Sequence, residues 1–370
     1  MKKTSKILLI IILLIAGLGG GILVYFYIQS NDTVTHSGYV RIYVNSSIYS
    51  SLTSEINRYE QDLETQGYDA EIVNWSDPIV ENLKADLVSQ NSTFRGAILV
   101  GKIPYALYFN ATIFPSDLYL MDLDGTWSNP DGDNVYDSHS NGGGDIFPEI
   151  WIGRIDPEIL NNLAVSHLQA YKDYFDRNHD YRNGSLTRPN SALLYVDDDW
   201  STWNSDWYNA MTKSYSNTTL VGTNAITTDT DYESRIQTSN YEFVHAMIHS
   251  TSIQHQFGPG GYGTEGITTN TEINSYVTQP LFYNLFCCSA CDYSSSNNIG
   301  TQYLFSNNSL AVIGSTKTGG MWMPSYFYNP LGQGKTIGES FRLWWWNGLH
   351  GPNDIDSQGM CILGDPLLTI

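Results

Sequence analysis

The stretch FYNLFCCSACDYS at residues 282–294 carries the strongest signal for the fold. Its first half is largely apolar, which is typical of a central strand buried on both faces of a parallel sheet. A second stretch of the same design, YEFVHAMIHS at residues 241–250, ends in His249 before a loop rich in Ser and Gly. Ligands of parallel α/β sheets bind beyond the carboxyl ends of the strands. We therefore expect a cysteine thiol and the His249 imidazole to meet at one rim of a sheet.

Apolar stretches alternate with helical patterns through most of the remaining chain. Ile56, Tyr59 and Leu63, for example, recur at three- and four-residue steps, which predicts a helix. The other predicted strands are YVRIYVN (39–45), AEIVNW (70–75), GAILVG (96–101), EIWIGRI (149–155), SALLYV (191–196) and LAVIGS (310–315). This alternation predicts an α/β fold in which a mostly parallel sheet is flanked by helices. We expect two α/β subdomains, residues 38–180 and 181–370.

The N-terminal sequence indicates a membrane anchor. Three lysines, at positions 2, 3 and 6, precede an uncharged apolar run over residues 7–28. At about 1.5 Å per residue, a helix of this length spans about 30 Å, the thickness of one hydrocarbon core. We expect a cytoplasmic tail (1–6), a single transmembrane helix (7–28), a linker (29–37) and an extracellular remainder at the cell membrane. A cleaved signal peptide is the alternative.

Charge and glycosylation sequons both bear on the partners of the chain. The chain has 18 Lys and Arg against 38 Asp and Glu, a net charge of −20. Such a surface repels nucleic-acid phosphates, so we expect no binding to nucleic acid. Sequons for N-glycosylation, which favour an extracellular glycoprotein, begin at Asn45, Asn74, Asn91, Asn110, Asn183, Asn217 and Asn307.

The cysteines are concentrated in one place. They are Cys287, Cys288, Cys291 and Cys361. Three cysteines within five positions do not form a disulfide framework spread over a domain. Beside an imidazole, a thiol can act as a nucleophile without any cofactor. The C-x-x-C pair of Cys288 and Cys291 leaves two alternatives open: a redox pair, or a zinc site completed by His249 and His255.

Several short motifs in a fixed order resemble those of the gingipain-type cysteine peptidases. They are FRGAILVGKIP, IFPEIWIGRID, the strand ending in His, the strand ending in Ala-Cys, AVIGSTKTGG and LGDPLL, and they extend over most of residues 38–370. The resemblance implies a caspase-like fold and an endopeptidase that forms an acyl-enzyme. It implies His249 as the catalytic histidine and Cys291 as the nucleophile, with Cys288 as the competing candidate.

The oxyanion hole is expected from the backbone N–H groups of Ser250 and Cys291. The family usually has Gly where this chain has Ser250, and Gly shortly after the nucleophile, where this chain has DYSSSN. These departures favour an alternative, a catalytically inactive relative that serves as a surface binding or structural module.

The resemblance also implies a specificity pocket. Asp117, in PSDLYLMDLDG, matches a Ser-Asp of the arginine-specific members, whose carboxylate binds a basic substrate side chain. Charge-assisted hydrogen bonds between carboxylate and guanidinium would give cleavage after Arg or Lys. Trp322 is expected to wall the same pocket. The alternatives are a metal ligand or a loop residue for Asp117 and ordinary core for Trp322.

An acidic loop predicts structural calcium. The candidate ligands are Asp122, Asp124, Asp131, Asp133 and Asp137, which are interspersed with glycine and asparagine. Calcium takes six to eight oxygen ligands, which such loops supply. A solvated acidic loop is the alternative. Residues 197–199, all Asp, end another strand and either face the cleft or cap the next helix. The residue that orients His249 stays unassigned.

Overall fold

The computed structural model describes residues 12–16, 22–26, 38–347 and 356–370. The chain divides into two compact units, residues 1–36 and 37–370. Their described strands are β1 (Ile12–Ala16), β2 (Ile22–Phe26), β3 (Gly38–Asn45), β4 (Tyr68–Trp75), β5 (Phe94–Val100), β6 (Leu107–Asn110), β7 (Thr112–Pro115), β8 (Thr126–Ser128), β9 (Val135–Tyr136), β10 (Ser138–Ser140), β11 (Trp151–Ile155), β12 (Ala192–Val196), β13 (Thr218–Val221), β14 (Phe243–Met247), β15 (His249–Ser250), β16 (Gln254–Gln256), β17 (Ile267–Thr269), β18 (Phe282–Phe286), β19 (Ala311–Ser315) and β20 (Met360–Gly364).

The described helices all lie in the second unit. They are α1 (Ser46–Tyr49), α2 (Thr53–Thr65), α3 (Val80–Val88), α4 (Leu118–Met121), α5 (His167–Arg182), α6 (Asn204–Met211), α7 (Asp229–Thr238), α8 (Asn270–Ser275), α9 (Ile299–Phe305), α10 (Ser325–Gly332) and α11 (Ile337–Asn347), with two 3-10 helices at Asp198–Trp203 and Pro259–Gly261. The predicted helix face of α2 is confirmed, because Ile56, Tyr59 and Leu63 are its buried residues.

The predicted transmembrane helix over residues 7–28 is not found in the described part of that segment. β1 and β2 pair antiparallel there, with Leu14 beside Val24. No helix among the described residues is long and apolar enough to cross a membrane. Four of the five residues at 17–21 are glycine, which disfavours a continuous helix, whereas Ile, Val, Phe and Tyr favour strands. The predicted tail (1–6) and linker (29–37) lie outside the described residues.

A ten-stranded sheet organises the second unit. Its strand order is β13-β12-β14-β18-β19-β20-β11-β5-β3-β4. All neighbours run parallel except β19 and β20, which are antiparallel. The predicted α/β class with a large, mostly parallel sheet is therefore confirmed. The strands of residues 38–180 and those of residues 181–370 belong to this one sheet, and β20 at the end of the chain joins the two sets.

The central strands are buried on both faces, as their apolar sequences require. Every residue of β14, β18 and β19 is buried. One hydrophobic cluster, which includes Met247, Phe286 and Trp344, covers one face of the sheet. The other face carries a second cluster that includes Leu285 and Tyr303. Because side chains alternate along a strand, the position of a residue decides which cluster it joins.

Candidate active site

Two adjacent strands lead to a histidine and to a cysteine: His249 stands two residues after β14 and Cys288 two residues after β18. β14 and β18 run parallel with Met247 beside Phe286. The pairing ends there, two residues before His249 on one strand and two before Cys288 on the other. Side chains of a strand alternate with a period of two, and neighbouring strands are about 4.8 Å apart. Extending the register by two residues therefore predicts that the imidazole and the thiol lie at one rim, on the face of Met247 and Phe286.

His249 is held in place by two contacts. Its Nε2 lies 2.8 Å from Oδ2 of Asp199. Its ring lies 4.4 Å from the ring of Trp200, centre to centre. The hydrogen bond with His249 is the main cause that lowers the pKa of Asp199. When the proton on Nε2 is donated to this carboxylate, the lone pair of Nδ1 remains available to accept a proton from a thiol. Within the described chain, Nδ1 makes no hydrogen bond. Asp199 is thus the carboxylate in contact with His249, for which the sequence left the orienting residue unassigned.

Cys288 has the features of an accessible nucleophile. It is partly exposed, whereas the neighbouring Cys287 is buried. The next residue, Ser289, has a φ of 57°, a conformation that costs energy for a non-glycine residue and that clusters at functional sites. This residue turns the chain sharply away from the strand. The backbone N–H of Cys288 makes no hydrogen bond to any described residue, so it can donate to a bound substrate.

Cys291 is not placed to act as the nucleophile, and that assignment is corrected. Its side chain is fully buried in the cluster on the opposite face of the sheet. A Cβ added to Gly300 or to Gly314 would lie 2.6 Å from the Cys291 sulfur, so the sulfur packs directly on these glycines. The Cys361 thiol donates to the Cys291 carbonyl at 3.8 Å. The turn at Ser289 carries the chain back over the sheet and so buries Cys291.

The predicted oxyanion hole changes with the nucleophile. The N–H of Cys291 already donates to the Ser315 carbonyl at 3.0 Å. Ser250 lies on β15, where Thr251 N–H donates to Gln254 at 2.9 Å. Hydrogen-bonded and non-hydrogen-bonded pairs alternate along antiparallel strands, so the Ser250 N–H points away from β16. The available donors are therefore the N–H groups of Ser250 and Cys288.

Trp322 walls a cavity beside the rim. Its ring lies 4.9 Å from that of Phe286, which ends β18, and 5.0 Å from that of Trp203. The cavity has a volume of about 640 Å³, and Trp207 and Asp206 also line it. Its charged lining residues are Asp206 and Lys213, and an aromatic wall with a carboxylate can hold a long side chain with a cationic tip.

Asp117 does not share this cavity with Trp322. Its buried carboxylate accepts hydrogen bonds from Arg154 Nη2 at 2.7 Å and from the Tyr293 hydroxyl at 2.9 Å. Arg154 Nε contacts the same carboxylate at 2.9 Å. A substrate guanidinium would have to displace this buried ion pair, so the pairing argues against the predicted specificity role. The same contacts also argue against Asp117 as a metal ligand.

Only part of the predicted calcium loop comes together. Oxygen atoms of Asp122, Asp124 and Glu149 lie within 4.8 Å of one another. Burial, with a smaller effect of the two aspartates, raises the pKa of Glu149 to about 7. Asp131, Asp133 and Asp137 are exposed and are not members of this group. Asp133, for example, accepts the N–H of Val135 at 2.8 Å within a turn.

The sequence missed Glu149 because it opens a predicted strand, 25 residues beyond Asp124 and outside the acidic loop. A second carboxylate group combines Asp197, Asp198 and Glu265. Burial raises the pKa of Asp197 to about 6.

The alternatives built on the C-x-x-C pair find no support. Within the described chain, both groups with metal-ligand spacing consist of carboxylates. Cys291 is buried in the cluster on one face of the sheet, whereas Cys288 is partly exposed and belongs to neither cluster, and all four cysteines are free. His255 is buried, and burial lowers its pKa to about 3. A zinc site and a redox pair would each need these side chains on one side of the sheet.

A cysteine and a histidine after adjacent strands of an α/β sheet are typical of cysteine-type peptidases, which are hydrolases. The sequence model of peptidase family C25, the gingipain family, matches residues 41–370, and the chain belongs to this family. The resemblance in the sequence motifs is thereby confirmed. The fold is similar to that in a solved structure of the complex of the pro- and mature domains of RgpB from Porphyromonas gingivalis, with a TM-score of 0.63 and 14% identity over 90% of this chain and 80% of that one. No curated protein matches the chain.

Proposed function

We propose that this peptidase is an endopeptidase in which Cys288 is the nucleophile, His249 transfers the proton and Asp199 orients His249. The observation that supports the proposal is the register of β14 and β18, whose last pair, Met247 and Phe286, precedes His249 and Cys288 by two residues each. The hydrogen bond from His249 to Asp199 supports the third role. Three groups in this order can activate a thiol that is mostly protonated at neutral pH.

The steps follow from these positions. His249 takes the thiol proton at Nδ1 while the Cys288 sulfur attacks the peptide carbonyl carbon. The N–H groups of Cys288 and Ser250 stabilise the negative charge that develops on the carbonyl oxygen. His249 then gives its proton to the departing amine, which leaves a thioester on Cys288. Water, deprotonated by the same imidazole, hydrolyses the thioester and restores the thiol.

Replacing each of the two candidate cysteines by alanine tests the proposal. We expect Cys288→Ala in the full chain to abolish turnover of fluorogenic peptides, and Cys291→Ala to keep most of it. Iodoacetamide followed by peptide mass mapping should label Cys288 faster than Cys291, because only the former is exposed. Activity that survives Cys288→Ala but not Cys291→Ala would contradict the assignment. No turnover of any peptide by the unaltered protein would favour a non-catalytic member of the family.

Cleavage after Arg or Lys is part of the proposal, with the Trp322 cavity as the binding pocket. The support is an aromatic wall formed by Trp203, Trp207 and Trp322, next to the strand that ends at Cys288, with Asp206 among the lining residues. Asp206 is exposed and thus available to a substrate cation. It takes the role first expected of Asp117, whose carboxylate is occupied by Arg154.

Structural calcium is also proposed, held by Asp122 and Asp124 together with Glu149. The support is the close approach of three carboxylates, whose combined negative charge exceeds the single charge of the neighbouring Lys84 ammonium. Hard divalent cations prefer such oxygen ligands. The ion would be structural, because none of these three residues belongs to the rim that carries Cys288 and His249.

We propose that the protein acts outside the cytoplasm as a glycoprotein. The support is the apolar run over residues 7–28 after three lysines, and the exposure of four sequon asparagines, Asn74, Asn91, Asn183 and Asn217. Treatment of intact cells with an added protease and a glycosidase tests this. A protein that is degraded from outside and loses mass on deglycosylation supports it, and full protection without a mass change contradicts it.

A further inference from the structure

A glycine-rich loop, defined here as residues 257–266, lies directly against the catalytic histidine. It connects β16 to β17, next to the strand that begins with His249. A Cβ added to Gly261 would lie 2.6 Å from Cγ of the His249 ring. Only a glycine fits at such a close approach of backbone to imidazole. The loop therefore forms one wall of the active site.

The loop follows a path that its glycines make possible. Five of its ten residues are glycine, and all five have positive φ, from 66° at Gly263 to 109° at Gly266. Residues with a side chain rarely adopt this conformation. The five glycines thus allow a loop path that residues with a side chain would resist.

Two hydrogen bonds attach the loop to the end of β12. Gly258 N–H donates to Asp197 Oδ2 at 3.0 Å, and Gly260 N–H donates to Asp199 Oδ2 at 2.7 Å. The second acceptor is the same oxygen that His249 Nε2 contacts. The position of the loop and the orientation of the imidazole are therefore coupled through one atom of Asp199.

Tyr262 projects from this loop without cover. Its exposed fraction is 82%, the highest among the exposed large hydrophobic residues of the described chain, and Val277 follows at 60%. It is adjacent to Gly261, so its Cα lies about 3.8 Å from a residue that touches the His249 ring. A tyrosine offers a large, rigid ring with a polar tip, which suits contact with a peptide chain.

We propose, on the basis of the peptidase function above, that the glycine-rich loop is a flap whose Tyr262 packs on the peptide chain bound at Cys288. The occupant of this surface is the substrate itself, because the residue before Tyr262 packs directly on the ring of His249. Tyr262 is thus a substrate-binding residue that determines how long a peptide the site prefers. Its hydroxyl contributes less than its ring, since the exposed ring carries most of the area to be buried.

Kinetics on peptides of increasing length test the proposal. We expect Tyr262→Ala to raise KM about tenfold on long peptides, with kcat nearly unchanged, and to have little effect on the shortest reporter peptides. Tyr262→Phe should retain most of the affinity. Phe109→Ala, which removes an exposed aromatic from the β6–β7 hairpin, is the matched control and should behave like the unaltered protein.

A binding measurement separates contact from fold. In the Cys288→Ala background, the Kd of a labelled long peptide should rise about tenfold on Tyr262→Ala, while the melting temperature stays the same. If Tyr262→Ala leaves both Kd and KM for the long peptide unchanged, the flap role of Tyr262 is overturned, while the proposed peptidase function stands. A lower melting temperature with equal losses on short and long peptides would also overturn it. An unaltered protein that neither binds nor cleaves any peptide would overturn the proposed function, and the flap with it.

Discussion

The two acidic side chains offered for substrate recognition differ in what they already contact. Asp117 is 1% exposed and pairs with Arg154, itself 7% exposed. Asp206 is exposed and lines the Trp322 cavity. A carboxylate that neutralises a buried guanidinium stabilises the fold, whereas a free carboxylate in a cavity is available to a ligand.

Substitution separates these two roles. We expect Asp206→Asn to lower kcat/KM for Arg and Lys peptides about tenfold, with a smaller change for a neutral peptide. Asp117→Asn should instead lower the free energy of unfolding by about 3–5 kcal/mol, because it leaves Arg154 buried without its counter-charge. Steady-state kinetics and denaturant unfolding measure the two effects. Selective loss of basic substrates on Asp117→Asn at unchanged stability would reverse the assignment.

Among the elements, the segment between α4 and β11 carries the proposed cation ligands. We expect millimolar calcium to raise the melting temperature by a few degrees, because an ion that binds only the folded state stabilises it. Asp124→Asn and Glu149→Gln should reduce this shift, whereas Asp133→Asn, from the exposed turn of the same loop, should not. Scanning calorimetry with calcium and with a chelator measures it. An equal shift in all three variants would place the ion elsewhere.

The β16 strand carries a buried histidine that makes stability depend on pH. Burial lowers the pKa of His255 to about 3, against about 6.5 for an exposed imidazole. Between about pH 6.5 and 3, His255 therefore binds a proton in the unfolded chain but not in the folded chain. The free energy of unfolding falls as the pH drops from about 6.5 toward 3.

Replacing this imidazole tests the sign of the effect. Neither ring nitrogen of His255 has a hydrogen-bond partner within the described chain, so His255→Phe loses no bond there. We expect the variant to gain stability relative to the unaltered protein as the pH falls from 7 to 5, by about 2 kcal/mol at pH 5. Denaturant unfolding at both pH values measures this. A constant difference would show that His255 is charged or exposed in the folded state.

At the scale of the whole molecule, one sheet contains strands from residues 38–364. Because both predicted subdomains share this sheet, we expect them to unfold in a single transition. Asp365, at the end of β20, accepts hydrogen bonds from Asn178 Nδ2 at 2.9 Å and from Arg182 of α5. The last strand thereby fastens the two predicted subdomains together. We expect Asp365→Ala to destabilise the protein by about 3–5 kcal/mol, because Arg182 loses its buried partner.

Probes in the two parts of the sheet can check this cooperativity. Thermal unfolding followed by tryptophan fluorescence and by loss of activity should give coincident transitions, both shifted by Asp365→Ala. Hydrogen exchange on β3–β5 and on β12–β14 should slow and quicken together. Two separate transitions would instead indicate that the two predicted subdomains fold independently.

Local sequence determined the strands, the α2 face, the α/β class and the place of His249, because apolar runs and their periods act over a few residues. Tertiary structure decided that Cys291 is buried while Cys288 is partly exposed, with the turn at Ser289 between them. It also paired Asp117 with Arg154, and it brought Asp199 to His249 across 50 residues of chain. Such choices depend on contacts between distant segments, which no local pattern of hydrophobicity encodes.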